Sequence, residues 1–352
     1  MHPALNTRLC ALLGVQYPIV QTGMGYVAGV RLTTATSAAG AFGVLASATM
    51  SFDELARAIG EVKDRTDTPF GVNLRADQGD AADRIDLMIN QGVRVASFAQ
   101  APSEALIKRC KDGGLFVIPS IGAKRHAEKV AGWGVDAVIV QGGEGGGHTG
   151  SVPTSLLLPQ VVDTVDIPVI AAGGYFDGRG LVAALAYGAS GIAMGTRFLL
   201  TSDSTVPDAV KQEYLSKTVT DTLVTTQVDG VPHRVLRTEF TDELDKTNAV
   251  TSMPRALRNA LAFKTLSGEK WSAIVREGLA MKRSQELSWS QVVMQANTPM
   301  LLRQAMVEGR PDLGVMASGQ VVGVIDDLPT CEEVVDRVMA EAETVLSALT
   351  GP

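Results

Sequence analysis

The sequence predicts an α/β protein built on one (β/α)8 TIM barrel, with a helical capping subdomain inserted after strand eight. Three observations predict it. Short, almost wholly apolar runs recur eight times between residues 17 and 196, amphipathic helical segments separate them, and several runs end in glycine pairs. Strands that are apolar throughout are buried on both faces, as in a parallel sheet made of βα units. Eight repeats favour a closed barrel over an open doubly wound sheet.

The strands are expected at 17–22, 43–46, 70–74, 94–99, 115–119, 137–141, 168–172 and 191–194. Between them, SFDELARAIGEVKDRT begins with Ser51 and carries Glu54 three residues later, a capping-box pattern. SEALIKRCKDGG begins with Ser103 and stops on glycine. After Phe198 the pattern changes. Residues 203–310 lack regular strand spacing and carry helical segments such as PDAVKQEYLSK, MPRALRNALAFKTL and WSAIVREGLAMKRSQ, which we read as a cap over the barrel mouth. The chain closes with GVMASGQVVGVIDDLP and a helix over 330–349 that packs back on the barrel. The expected organisation is a cofactor-binding barrel over 1–202, a substrate cap over 203–310 and a returning segment over 311–352.

Composition bounds the function. With 352 residues, 45% of them hydrophobic and 20% charged, the chain can bury a large core. A net charge of −7 argues against a basic nucleic-acid groove. Cys10, Cys110 and Cys331 lie far apart and form no CxxC pair, so neither a disulfide framework nor a metal site of cysteines is indicated, and a reducing cytoplasm is the default. The N-terminus lacks a leader pattern, and no stretch approaches the roughly 20 apolar residues that span a bilayer. A cytoplasmic protein with no membrane partner is expected. The sequence sets no oligomeric state and leaves a homodimer open.

The loops after the strands carry the chemistry, because active sites of this fold lie at that end. In VIVQGGEGGGHTG, residues 138–150, a buried strand ends in six glycines and one histidine. Such glycines let backbone N–H groups face an anion or let a flat ring lie against the chain. His148 then stands beside whatever the loop holds, able to move a proton near neutral pH. Glu144 reads as a brace for the loop. Strands seven and eight end in IAAGGYFDGRG and IAMGTRF, where Gly173, Gly174, Gly195 and Thr196 offer donors to a phosphate. In QTGMGYVAG, Met24 stands between Gly23 and Gly25, where its backbone can approach a ring. Asn73 ends strand three with an amide that both donates and accepts, a match for the edge of a bound heterocycle. Lys124, after strand five, could meet a phosphate or the electron-rich edge of that ring.

The motifs QTGMG, FGVN, QGGEGGGHTG, AAGG and MGTRF, in this order, resemble the nitronate monooxygenase superfamily, formerly called 2-nitropropane dioxygenases. The resemblance covers nearly the whole chain and implies FMN at the C-terminal end of the barrel. It implies flavin contacts at Asn73, Gln141, Gly146, Gly174 and the run Ala193, Met194, Gly195 and Thr196, with Gly147 in the same loop and His148 as the base. One departure is Gly145, where the family loop often has alanine. The segments TSDSTVPDAVK, VDGVPHRVLRTE, LSWSQVVMQANTPMLL and VMASGQVVGVIDDLP look similar to an actinobacterial branch of flavin oxidoreductases in steroid breakdown. That branch dehydrogenates a hydroxylated two-ring CoA thioester, which would require cations near the mouth. Arg234, Arg237, Arg255, Arg258 and Lys264 lie in the cap, but a solvated helix face is the commoner role of such charges and none is assigned to the site. Nitronate oxidation by oxygen and NAD(P)H:quinone reduction are the alternatives the superfamily leaves open. No GxGxxG follows a strand, so NAD(P)H as a transient co-substrate would share the mouth with the substrate.

Overall fold

All eight expected strands form, with ends within two residues of the predicted ones. In the computed structural model, which describes residues 1–247 and 297–351, they are β1 Ile19–Gln21, β2 Val44–Ala46, β3 Gly71–Leu74, β4 Val95–Phe98, β5 Phe116–Ile121, β6 Val138–Gln141, β8 Val169–Ala172 and β9 Gly191–Met194. A two-residue strand, β7 Gly147–His148, lies between β6 and β8 in the chain and belongs to another sheet. The barrel order is β1-β9-β8-β6-β5-β4-β3-β2, parallel throughout.

A parallel bridge between Val20 and Phe42 closes the barrel. There the Gln21 N–H donates to the Phe42 carbonyl at 2.9 Å, and the Phe42 N–H donates to Ile19 at 2.9 Å. The buried Gln21 side chain adds a rung: its amide donates to the Val44 carbonyl at 3.1 Å and accepts from the Val44 N–H at 3.3 Å. The two-residue period of a strand divides the apolar side chains into two cores. Val20, Val44, Val95, Ile118, Ile139, Ile170 and Ala193 fill the interior above Leu9 and Leu13 of α1 Arg8–Leu13. Ile19, Val72, Val117, Val138 and Ile192 face outward, toward helices. Each such side chain contributes about 1.5–3 kcal/mol when buried.

The outer helices follow the strands: α2 Val30–Ala38, α3 Phe52–Arg65, α4 Ala81–Asn90, α5 Glu104–Asp112, α6 Lys124–Gly132, α7 Thr154–Val162, α8 Gly178–Ala186 and the short α9 Thr196–Leu199. The capping box of α3 forms as read, with Glu54 N–H donating to Ser51 Oγ at 3.3 Å and Ser51 N–H to the Glu54 carboxylate at 2.7 Å. Ser103 caps α5.

Beyond the barrel come α10 Asp208–Leu215, α11 Glu239–Asp245, α12 Asn297–Met306 and the final helix α13 Cys331–Thr350. The last packs against α8 and α2. The segment after strand eight is not purely helical, as the sequence had suggested. Strands β10 Thr222–Thr225 and β11 His233–Leu236 form an antiparallel hairpin, and β11 also pairs with β7. Four-residue strands around a turn are too short to show a spacing signal among helices. The expected helical segments MPRALRNALAFKTL and WSAIVREGLAMKRSQ lie outside the described residues. Among the described residues, no helix is long and apolar enough to cross a membrane.

Candidate active site

At the C-terminal ends of β3 to β6 the inward-facing positions turn polar. Asn73, Ser97, Ser120 and Gln141 occupy them, and all four line a cavity of about 680 Å³. Asn73 donates to Ser97 Oγ at 3.3 Å. The loop after β1 closes on this floor, and Gly23 is required there because a Cβ would collide with the Asn73 side chain. Gly173 and Gly174, after β8, hold left-handed backbone at φ +99° and +85°, which L side chains rarely adopt. Thr196 Oγ1 accepts from the Gly319 N–H at 3.0 Å, leaving its own O–H free to donate.

The glycine loop is braced at several points. The Glu144 carboxylate accepts from the Thr154 N–H at 2.9 Å and hydroxyl at 2.7 Å, confirming its role as a brace and capping α7. Gln141 donates to the carbonyl oxygens of His148 at 2.8 Å and Gly146 at 3.3 Å, so that its amide nitrogen braces the loop. Gly146 lies against the returning C-terminal segment, and a Cβ there would stand 2.5 Å from the Ser318 carbonyl carbon.

His148 stands on β7 in direct antiparallel register with His233 on β11. Its side chain is 44% exposed, whereas Asp229, in the turn before β11, is 3% exposed. His148 Nε2 and Asp229 Oδ2 are 2.6 Å apart. The Thr298 hydroxyl donates to the same oxygen at 2.9 Å, and the Val231 N–H donates to Oδ1 at 3.3 Å. His233 Nδ1 is 3.7 Å from Asp229, an ion-pair distance without a hydrogen bond, and the two imidazole rings are 4.7 Å apart. Burial raises the Asp229 carboxyl, but the hydrogen bond from His148 and the positive charge of the imidazoles outweigh it and hold the group well below the usual carboxylate range. Burial and the neighbouring His148 push the His233 imidazole down, toward its neutral form. His148, Asp229 and His233 bring three ligand atoms within 4.8 Å, but both Asp229 oxygens already accept hydrogen bonds from the protein.

Gly23, Met24, Gly25, Asn73, Gln141, Gly146, Gly147, His148, Gly173, Gly174, Ala193, Met194, Gly195 and Thr196 all line this one cavity. Lys124 does not. It is the first residue of α6, half-exposed and paired with Glu128 at 3.7 Å, and Lys129 farther along the helix reaches the cavity wall instead. Sequence reasoning missed Ser97, Ser120, Asp229, His233, Thr298 and Gly319, all of which also line the cavity. The cysteines are buried and free, and burial pushes the Cys110 and Cys331 thiols up to about 12, so neither serves as a nucleophile. The site fits a flavin: glycines keep side chains out of a flat slot, amides line its floor, and the ends of β8 and β9 offer phosphate donors.

A barrel with this cavity, and with a half-exposed histidine at its wall, defines a flavin-dependent (β/α)8 oxidoreductase. The chain belongs to the nitronate monooxygenase family, whose model matches residues 6–341. It is 59% identical to the (3aS,4S,5R,7aS)-5-hydroxy-7a-methyl-1-oxo-octahydro-1H-indene-4-carboxyl-CoA dehydrogenase of Rhodococcus jostii, over 98% of each chain. It is 60% identical to the enzyme of the same name from Mycobacterium tuberculosis, over 99% of each. Among solved structures, FabK from Thermotoga maritima superposes with a TM-score of 0.81 at 33% identity, covering 98% of this chain and 99% of that one.

Proposed function

We propose that the chain is an FMN-dependent dehydrogenase of an alicyclic CoA thioester, with His148 taking the substrate proton. The observation that carries this reading is a half-exposed imidazole in the wall of the cavity that fits the flavin. Near-identical length and about 60% identity to two dehydrogenases of that substrate class support it.

Dehydrogenation removes one proton and one hydride equivalent from the substrate. FMN bound in the cradle would supply the hydride acceptor. Asn73 and the amide oxygen of Gln141 would meet the polar edge of its ring, while Gly173, Gly174, Gly195 and Thr196 would hold its phosphate. His148 receives the proton, as a positioned imidazole can. Of the cap cations, Arg234 is turned onto the Gly143 carbonyl and Arg237 pairs with Asp242 at 3.2 Å, so neither is reserved for CoA. Arg255, Arg258 and Lys264 lie outside the described residues. Three free cysteines fit a reducing cytoplasm.

The deciding experiment is an anaerobic titration of the purified protein, followed by its visible spectrum, with the thioester, an alkyl nitronate and NADH added separately. Reduction of the flavin band by the thioester is the expected outcome. Reduction by the nitronate alone would move the activity to nitronate oxidation. In the same assay His148→Ala keeps the flavin spectrum and loses turnover by about 10²–10⁴-fold, the usual contribution of a positioned acid or base.

A further inference from the structure

The unit that handles the proton is larger than His148. We propose that Asp229 is a positioning residue that fixes His148 as the Nε2–H tautomer and so makes Nδ1 the nitrogen that exchanges a proton with the substrate. The inference rests on the reading of His148 as base and names the machinery behind it.

The geometry supports each step. At 2.6 Å from a carboxylate oxygen, Nε2 must donate, because an ionised carboxylate only accepts. Nδ1 has no protein partner among the described residues, and the ring itself lines the cavity. Asp229 is in turn held by the Thr298 hydroxyl and the Val231 N–H, so its oxygens cannot turn away. The short strand β7 places His148 opposite His233 across the sheet, four residues after the carboxylate. His233 is buried, and among the described residues neither of its ring nitrogens has a hydrogen-bond partner. Asp229 thus lies between two imidazoles and is hydrogen-bonded to that of His148.

The other charged groups nearby are engaged elsewhere. Glu144 caps α7, and Arg234 on β11 is bound to Gly143 and Thr222. From α12 the facing group is the uncharged Thr298. Among the described residues, Asp229 is bonded to the His148 ring and His233 lies 4.7 Å from it, while Arg75, Asp77 and Lys129 are the other charged groups that line the cavity.

Two substitutions test this with opposite signs. Asp229→Asn removes the charge and can present an N–H to Nε2, which selects the wrong tautomer. By analogy with the same change in hydrolase triads, kcat falls by about 10²–10⁴-fold with KM nearly unchanged. The acid limb of the kcat profile moves to lower pH, because a carboxylate no longer stabilises the imidazolium. Thr298→Val removes a competing donor from Oδ2, strengthens the bond to His148 and moves the limb to higher pH. The chain has four histidines, so ring-proton NMR on the holoenzyme reads the same titration without turnover.

Opposite shifts in the two variants support the proposal. Superposable profiles, or shifts in the same direction, overturn it. Should Asp229→Asn lose its native spectrum, Thr298→Val alone decides, an upward shift supporting the proposal and any other result overturning it. Retained turnover in His148→Ala would overturn the underlying base assignment, whereas its loss beside a normal Asp229→Asn would overturn only the positioning role.

Discussion

The guanidinium of Arg234 donates two hydrogen bonds to the carbonyl oxygen of Gly143, at 2.8 and 3.2 Å, and a third to Thr222 Oγ1 at 2.8 Å. Arg234 also pairs through its backbone with Gly147, so one residue of β11 pins the glycine loop at two places. A loop with six glycines between residues 142 and 150 has much conformational freedom to lose, and this clamp limits it before any ligand arrives.

Arg234→Ala therefore loosens the loop that carries His148 while leaving Asn73 and the ends of β8 and β9, the other proposed flavin contacts, in place. We expect the flavin spectrum to persist while kcat falls by roughly tenfold, as misplacement of a reacting group does. Thermal unfolding should show a loss of about 1–3 kcal/mol from the unsatisfied half-buried carbonyl. Arg234→Lys should recover little, since an ammonium cannot reproduce the planar fork. A fully active, fully stable alanine variant would show that the loop is held elsewhere.

The parts of this site that were legible in the sequence are those with a local signature. Eight apolar runs gave the barrel, and glycines at the ends of β6, β8 and β9 marked the cavity, because both signals live within a few residues. Asp229 had no such signature. In VDGVPH an aspartate before glycine reads as an ordinary turn former, and its partner His148 is 81 residues away. Only the pairing of β7 with β11 joins them, and β7 is two residues long and half glycine. Ser97 and Ser120 looked like small residues in buried strands, since polarity matters there only once the barrel closes. Lys124 misled for the opposite reason: a cation just after a strand end looks placed for a ligand, but in α6 its near neighbour is Glu128, four residues on.

The buried His233 gives stability a pH dependence. Burial, together with the charge of His148, holds its folded-state pKa below the ordinary value of about 6.5. The unfolded chain then binds a proton that the folded chain refuses. Stability from this group is full above pH 6.5 or so and declines as pH falls below it. His126, lowered by partial burial and by Arg125 and Lys129, acts with the same sign. The depressed Asp229 carboxyl adds a separate loss at lower pH, below its unfolded value of about 3.9. His233→Leu should flatten the fall in thermal midpoint between about pH 6.5 and 5, with His126 leaving a residual slope. An unchanged slope would mean that His233 charges freely in the folded state.

Two glycines in helices make opposite predictions. Gly178 opens α8 where α13 crosses it, and a Cβ there would collide with backbone atoms of Val338 and Ala342. Backbone in the middle of a 20-residue helix cannot step aside as a flexible side chain can, and Gly178 N–H is also fixed to Glu341 at 2.7 Å. Gly178→Ala should cost about 1–3 kcal/mol, the usual penalty of overpacking. Gly60 lies within α3, and among the described residues nothing stands within 4 Å of a Cβ built on it. Gly60→Ala should stabilise by about 0.5–1 kcal/mol, through helix propensity and a less flexible unfolded chain. Thermal unfolding of both variants, with flavin retained in each, checks the pair. If both destabilise alike, glycine in these helices matters for a reason other than the close approach of α13 to α8.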